Sequence, residues 1–182
     1  GVQDADDQVT TYTYGVPKGT GAGDSYVASA NLLYKTTYPD STSGTDLVTY
    51  AYNAQSQTMW VKDQAGGIVQ TDYDLGGRQT YRRVTTLASG FDGAVRRIGT
   101  TYTSRGQTQL VTQYDNGAVG SGSVVDGVKY TYDDWGNITS FEQDRDSTVG
   151  GGGNQYTVGY TWAKATPSGG HDTLRCTGMT LP

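Results

Sequence analysis

The sequence predicts an all-β protein made of stacked antiparallel hairpins that form a spiralling sheet. Three observations carry that prediction. One ten-residue pattern is written four times, residues alternate with period two around it, and glycine sits near its end in three of the four copies. The copies start at Val48, Val69, Ile98 and Val128 and end at Gln57, Arg78, Gln107 and Asn137. Each carries Tyr at its fifth position, as Tyr52, Tyr73, Tyr102 and Tyr132. Gly77, Gly106 and Gly136 precede the closing polar residue, whereas the first copy has Ser56 there.

The second copy shows how the pattern becomes a hairpin. Val69, Thr71 and Tyr73 alternate with Gln70 and Asp72, the period of a strand. Asp74 opens a turn, where its carboxylate accepts hydrogen bonds from turn amides. Gly77 closes it, because a type I turn followed by a bulge needs a residue at positive φ. Residues 79–84 then return as the second strand. Asp133 with Gly136, and Thr103 with Gly106, fit the same frame. Tyr stands on the last rung before each turn.

A hairpin alone is marginal in water, so the hairpins must cover one another. Tyrosines at matching positions then predict cross-strand ladders, worth roughly 0.2–1 kcal/mol per pair. The motif tyrosines are 21, 29 and 30 residues apart, so the longer intervals hold loops. Segments 15–23, 41–45, 117–127 and 148–154 have the Gly- and Ser-rich composition of such loops. A weaker repeat lies at the two ends. Thr11-Tyr12-Thr13-Tyr14 leads to a strand closed by Pro39, and Gly159-Tyr160-Thr161-Trp162 leads to one closed by Pro182. This predicts that residues 1–182 form one repeat segment, an excerpt of a longer array. Residues 26–33 have room for one or two helical turns, and Gly90 and Gly93 argue for a loop over 85–97.

Composition narrows the function. The chain has 182 residues, of which 27 are Gly, 15 Tyr and only 2 Phe, with a net charge of -5. The expected core is thin and aromatic, because a Tyr ring buries while its hydroxyl finds a partner. Arg82-Arg83 and Arg96-Arg97 are short doublets that read as exposed strand faces, so no nucleic-acid partner is expected. No apolar run reaches the ~18 residues of a membrane helix, so no insertion is expected. Cys176 is alone and reads as a buried, inert thiol.

No catalytic, cofactor or metal site emerges. Acidic residues gather at Asp4, Asp6 and Asp7, at Asp133-Asp134 and at Asp144 to Asp146, but none completes a calcium loop, and solvated turns are the plainer reading. His171 follows two glycines in a predicted loop, with no nucleophile elbow to serve. Trp60, Trp135 and Trp162 raise a sugar-stacking platform as the alternative to packing, with Trp135, inside a turn, as its best candidate.

Tyr73-Asp74-Leu75-Gly76-Gly77-Arg78 and Tyr132-Asp133-Asp134-Trp135-Gly136-Asn137 resemble the Tyr-Asp-x-x-Gly-Arg/Asn signature of the Rhs/YD-repeat proteins. The copies at Tyr52 and Tyr102 lack the Asp. The resemblance implies a spiralling β-shell, as in bacterial toxins that enclose an effector or in teneurins that serve adhesion. It implies a structural, non-enzymatic segment of a secreted or cell-surface bacterial protein, without cofactor. Its expected partners are adjacent repeats of the same or neighbouring chains, joined through sheet edges. Glycans are the partner of the alternative reading, an adhesion module using exposed Tyr and Trp. The family's self-cleaving segment has no counterpart in these residues.

Overall fold

The computed structural model describes residues 9–39, 46–151, 154–165 and 173–182. The chain is all-β, with no helix among these residues. It divides into two compact units, Gly1–Ala94 and Val95–Pro182. The first holds β1 (Thr11–Val16), β2 (Ser29–Thr37), β3 (Leu47–Tyr52), β4 (Thr58–Lys62), β5 (Ile68–Tyr73) and β6 (Gln79–Thr86). The second holds β7 (Arg97–Tyr102), β8 (Thr108–Tyr114), β9 (Val124–Tyr132), β10 (Ile138–Asp144), β11 (Gln155–Ala165) and β12 (Thr173–Thr180). Within each unit the strands lie side by side in chain order, and sequence neighbours pair antiparallel.

The hairpin is the unit of construction, and all six share one irregularity. In β3–β4 the partners run Ala51↔Trp60 and then Tyr52↔Thr58, so Met59 is an extra residue. The same skip follows Asp72↔Tyr81, Thr101↔Leu110 and Thr131↔Ser140. It recurs at the ends of the chain, between Thr13↔Lys35 and Tyr14↔Leu33 and between Thr161↔Gly178 and Trp162↔Cys176. A one-residue bulge bends the return strand and increases its local twist. Tyr14 and Trp162 therefore occupy the position of Tyr52, Tyr73, Tyr102 and Tyr132. The weak end repeats seen in the sequence are register-equivalent to the strong ones.

Little is fully buried. Among the described residues the buried apolar side chains are Val16, Ala51, Tyr52 and Ala88. Most strand residues are half-buried on both faces, as a sheet with only partial loop cover requires. The loop over 17–28 provides such cover in the first unit. There Tyr26 donates its backbone N–H to the Tyr52 carbonyl, and the buried Ser25 hydroxyl accepts from the Tyr52 N–H. Gly23 lies against the Trp60 indole, so close that a Cβ there would sit 3.0 Å from the ring.

Several local expectations are corrected. Residues 29–33 belong to β2 and are not helical, because pairing with β1 outweighs a short helical tendency. Gly15 and Val16 extend β1 into the expected loop. Residues 124–127 extend β9, and Gly127 admits the 147–149 backbone, which would lie 3.2 Å from an added Cβ. Cys176 is exposed, since β12 is the last strand of its unit. Asp144 is completely buried on β10 and is not a solvated turn residue. Arg97 is 3 % exposed. Its guanidinium lies 3.9 Å from the Tyr114 ring centroid and donates to the carbonyls of Asn116, Ala118 and Ser121. Arg83 pairs with Asp72 at 2.5 Å and also departs from an exposed face. His171, Asp4, Asp6, Asp7 and segment 41–45 lie outside the described residues.

Candidate functional site

The repeated feature that could serve a function is the contact between successive hairpins. It begins with the turn. Asp74 donates its N–H to the Arg78 carbonyl at 2.9 Å, and Gly77 donates to the Asp74 carbonyl at 3.0 Å. That is a type I turn closed by a residue in the left-handed region, with Gly77 at φ 78. Turns 53–57, 103–107 and 133–137 repeat both bonds. So does turn 63–67, which joins β4 to β5 and which the Tyr-based pattern does not cover, because no motif Tyr precedes Asp63. Its Asp63-Gln64-Ala65-Gly66 pattern was the available signal.

The first turn residue is an acceptor in every copy. Asp74 Oδ1 accepts from the Gly76 and Arg78 amides, and Asp133 Oδ1 from the Trp135 and Asn137 amides. In the copies without Asp, Asn53 Oδ1 accepts from the Gln55 and Gln57 amides, and Thr103 Oγ1 from the Gln107 amide. Bonds to the Arg78 amide and then its side chain hold the Asp74 carboxyl below its ordinary range. For Asp133 the Asn137 side-chain amide is the main cause of the same shift. Ser56 sits at φ 62, the only residue other than glycine at positive φ among the described residues.

The closing residue then divides the copies into two kinds. Arg78 and Asn137 turn back onto their own Asp, at 2.7 and 2.8 Å. Gln57 and Gln107 reach forward, and Gln57 Oε1 also accepts from the side-chain amide of its own Asn53 at 3.0 Å. Gln57 Nε2 donates to the Gly77 carbonyl at 2.8 Å, and Gln107 Nε2 to the Gly136 carbonyl at 3.1 Å. A second forward bond joins the turn tips, from Gln55 to the Leu75 carbonyl and from Arg105 to the Asp134 carbonyl.

The motif aromatic makes the other tie. Tyr52, Tyr73 and Tyr132 donate their hydroxyls to the carbonyls of Leu33, Thr58 and Thr108, at 2.8, 2.8 and 2.6 Å. Trp162 donates its indole N–H to the Ile138 carbonyl at 2.7 Å. Each acceptor is the residue paired with the motif aromatic of the preceding hairpin. In these four joins the ladder between hairpins stops short of this point. Its last pairs are Lys35↔Thr49, Trp60↔Gln70, Leu110↔Lys129 and Ser140↔Gly159, three residues before the aromatic and two beyond the acceptor. The side chain thus extends the join where the bulge has ended backbone pairing. Burial raises the phenol pKa of Tyr52, Tyr73 and Tyr132, keeping each a neutral donor.

This differs from the ring-on-ring ladder expected from sequence. Equivalent tyrosines stand two strands apart, about 9.5 Å, whereas stacked rings need about 4.5–7 Å between centroids. The ring pair seen, Tyr130 with Phe141 at 5.5 Å, lies on adjacent strands. The hydroxyl explains the preference for Tyr over Phe, and the indole N–H explains why Trp substitutes.

Of the proposed sugar-stacking residues, Trp60 and Trp162 are half-buried, and Trp135 is 84 % exposed at a turn tip. Trp60 also lines an open groove of about 640 Å³ with Tyr34, Tyr50, Asp24 and Lys62. No three His, Cys, Asp or Glu side chains gather to hold a metal among the described residues.

No family model and no curated protein matches the chain. Solved structures do. A crystal structure of TcdB2-TccC3-Cdc42 shares 16 % identity over 72 % of this chain, with a TM-score of 0.35. One of TcdB2-TccC3 without its hypervariable C-terminal region shares 18 % over 64 %, with a TM-score of 0.31. A structure of the Photorhabdus luminescens Tc holotoxin pore shares 19 % over 64 %, with a TM-score of 0.30. The chain spans 8 %, 6 % and 6 % of the lengths of these three.

Proposed function

We propose that the chain is a structural, non-catalytic segment of a YD-repeat scaffold in a secreted or cell-surface protein. The recurrent tie from a motif aromatic to the preceding hairpin's carbonyl is the observation that carries this reading. It uses the most characteristic side chain of the repeat to hold one hairpin to the next. The motif carboxylates are likewise engaged in turn geometry: Asp74 and Asp133 accept turn amides, and Asp72 holds Arg83. Encapsulation and surface architecture are the tasks suited to such a construction.

A second reading, glycan adhesion, rests on Trp135, whose indole projects from its turn. A glycan array separates the two. The scaffold reading expects no glycan signal that depends on Trp135, and a change of under about 0.5 kcal/mol in folding stability for Trp135→Ala, as for exposed positions generally. Sharp binding abolished by Trp135→Ala would overturn it in favour of adhesion.

A further inference from the structure

Basic doublets and large apolar side chains both match the specificity pockets of endoproteases, and the structure shields most of those in this chain. Arg82 and Arg83 lie within β6, paired with Thr71 and Gln70, and Asp72 holds the Arg83 guanidinium. Arg96 donates its N–H to the Tyr114 carbonyl at 2.7 Å, and Arg97 is buried. A protease must draw the residues on both sides of the bond into its cleft as an extended strand. Backbone already held in a ladder or a closed turn has to open first, so cutting concentrates where few such bonds exist.

The exposed apolar side chains divide in the same way. Tyr34 and Tyr156 stand in strands. Leu75 and Trp135 sit in turns whose amides are bonded to Asp74 and Asp133. Tyr26 donates its N–H to the Tyr52 carbonyl at 2.8 Å. Phe91, 63 % exposed, stands instead in the loop between β6 and β7. Ser89, Gly90 and Asp92 beside it are exposed too. The Phe91 N–H reaches the Ala88 carbonyl only at 3.5 Å. Space around Gly90 is open, since a Cβ added there would meet nothing within 4 Å. Small and polar residues at an exposed loop tip are the preferred setting for proteolytic nicking. Buried Ala88 and Arg97 anchor the loop on either side, so the accessible stretch is short.

We propose that the bond between Phe91 and Asp92 is a processing site, cut by an endoprotease whose specificity pocket takes a large apolar side chain. Water adds across the peptide bond. Its oxygen goes to the Phe91 carbonyl carbon, the C–N bond breaks, and Asp92 keeps the nitrogen as a new amino terminus. The cut falls just before the boundary between the two compact units, at Ala94 and Val95. The three hairpins β1–β2, β3–β4 and β5–β6 lie before it, and β7–β8, β9–β10 and β11–β12 lie after it, so each product keeps its hairpins whole. This goes beyond the scaffold reading and does not depend on it.

The test is limited digestion of the full chain by chymotrypsin and, in parallel, by trypsin, with the products read by mass spectrometry. Chymotrypsin is expected to give first two fragments that meet at Phe91 and Asp92. Trypsin is expected to leave the doublets at 82–83 and 96–97 uncut over the same time. Phe91→Ala, at an exposed position where substitution changes stability little, should slow the first chymotryptic cut by at least about 10-fold, because the protease pocket loses its ring. Phe91→Arg should pass the cut to trypsin at position 91, as a site made by open loop backbone requires. A first chymotryptic cut at Tyr26, Leu75 or Trp135 would overturn the proposal. So would tryptic cleavage at Arg96 or Arg97 as fast as the cut at Phe91, or a Phe91→Arg chain that trypsin leaves intact at position 91.

Discussion

Turns 53–57 and 74–78 have the same backbone hydrogen bonds and a closing side chain bonded to the first turn residue, but Gln57 also reaches the next hairpin. The Asp turn closes on itself, with Arg78 held by Asp74. The Asn turn, which matches the repeat signature less well, sends Gln57 and Gln55 to the next hairpin. Turns 103–107 and 133–137 repeat the contrast, with Gln107 and Arg105 reaching forward and Asn137 turning back. Among the described residues the forward side-chain bonds come from the two copies without Asp, while the Asp copies hold to the preceding hairpin through Tyr73 and Tyr132.

The largest effects are expected where turn and tie share one residue. Gly77→Ala forces a side chain into the left-handed region, about 1–2 kcal/mol. Its Cβ would also sit 3.1 Å from Gln55 Oε1 and 3.3 Å from Gln57 Nε2, disturbing both ties. Urea denaturation should show a loss at the upper end of that range. Ser56→Gly at the equivalent position should instead gain up to about 1 kcal/mol, since Ser56 already bears the strained φ. A loss from Ser56→Gly would break the equivalence of the two turns.

Removing the closing residues sharpens the contrast. Gln57→Ala should cost about 0.5–1.5 kcal/mol in urea denaturation, the net value of a part-buried hydrogen bond. Arg78→Ala removes a pair whose arginine is 45 % exposed, and should cost less, about 0.2–1 kcal/mol. The opposite order would mean that the Asp–Arg lock, and not the forward tie, stabilises the array.

The smallest difference is a pH dependence confined to the Asp turns. Asp74 and Asp133 are held below their ordinary value of 3.8 by bonds to their ionised forms. The stability they add is complete above that value and is lost as pH falls through their depressed folded values. Asn53 has nothing to titrate. In acid titrations followed by circular dichroism, Asp133→Asn should be near neutral at pH 7 and less acid-sensitive than the parent. An unchanged acid profile would show that the Asp133 turn contributes no linkage.

Hairpins, turns and the position of the motif Tyr were legible because each depends on local residues: alternation, an acceptor at the first turn position and Gly at positive φ. Turn 63–67 keeps the spacing in Asp63 and Gly66 but lacks the preceding Tyr that marks the other four turns. The bulges at Met59, Thr80 and Gln109 were not legible, because the extra residue has no common side chain and arises from register between strands. The forward ties were hidden for a related reason. Gln57 meets Gly77 only once the hairpins stack, and a long polar residue looks the same whether it bonds forward, backward or to water. Arg97 shows the limit most plainly. Its sequence neighbour Arg96 makes a basic doublet, but the carbonyls that bury it come from residues 116–121, brought over by a loop.

The aromatic hydroxyl is the link between successive hairpins, and Tyr132→Phe compared with Tyr130→Phe is its most direct test. Tyr132 donates at 2.6 Å to the Thr108 carbonyl, whereas Tyr130 contributes its ring to Phe141. Urea denaturation at neutral pH should show Tyr132→Phe less stable by about 0.5–1.5 kcal/mol and Tyr130→Phe within about 0.5 kcal/mol of the parent. Equal stability of Tyr132→Phe and the parent would contradict the claim that the phenol, and not ring packing alone, holds the repeats together.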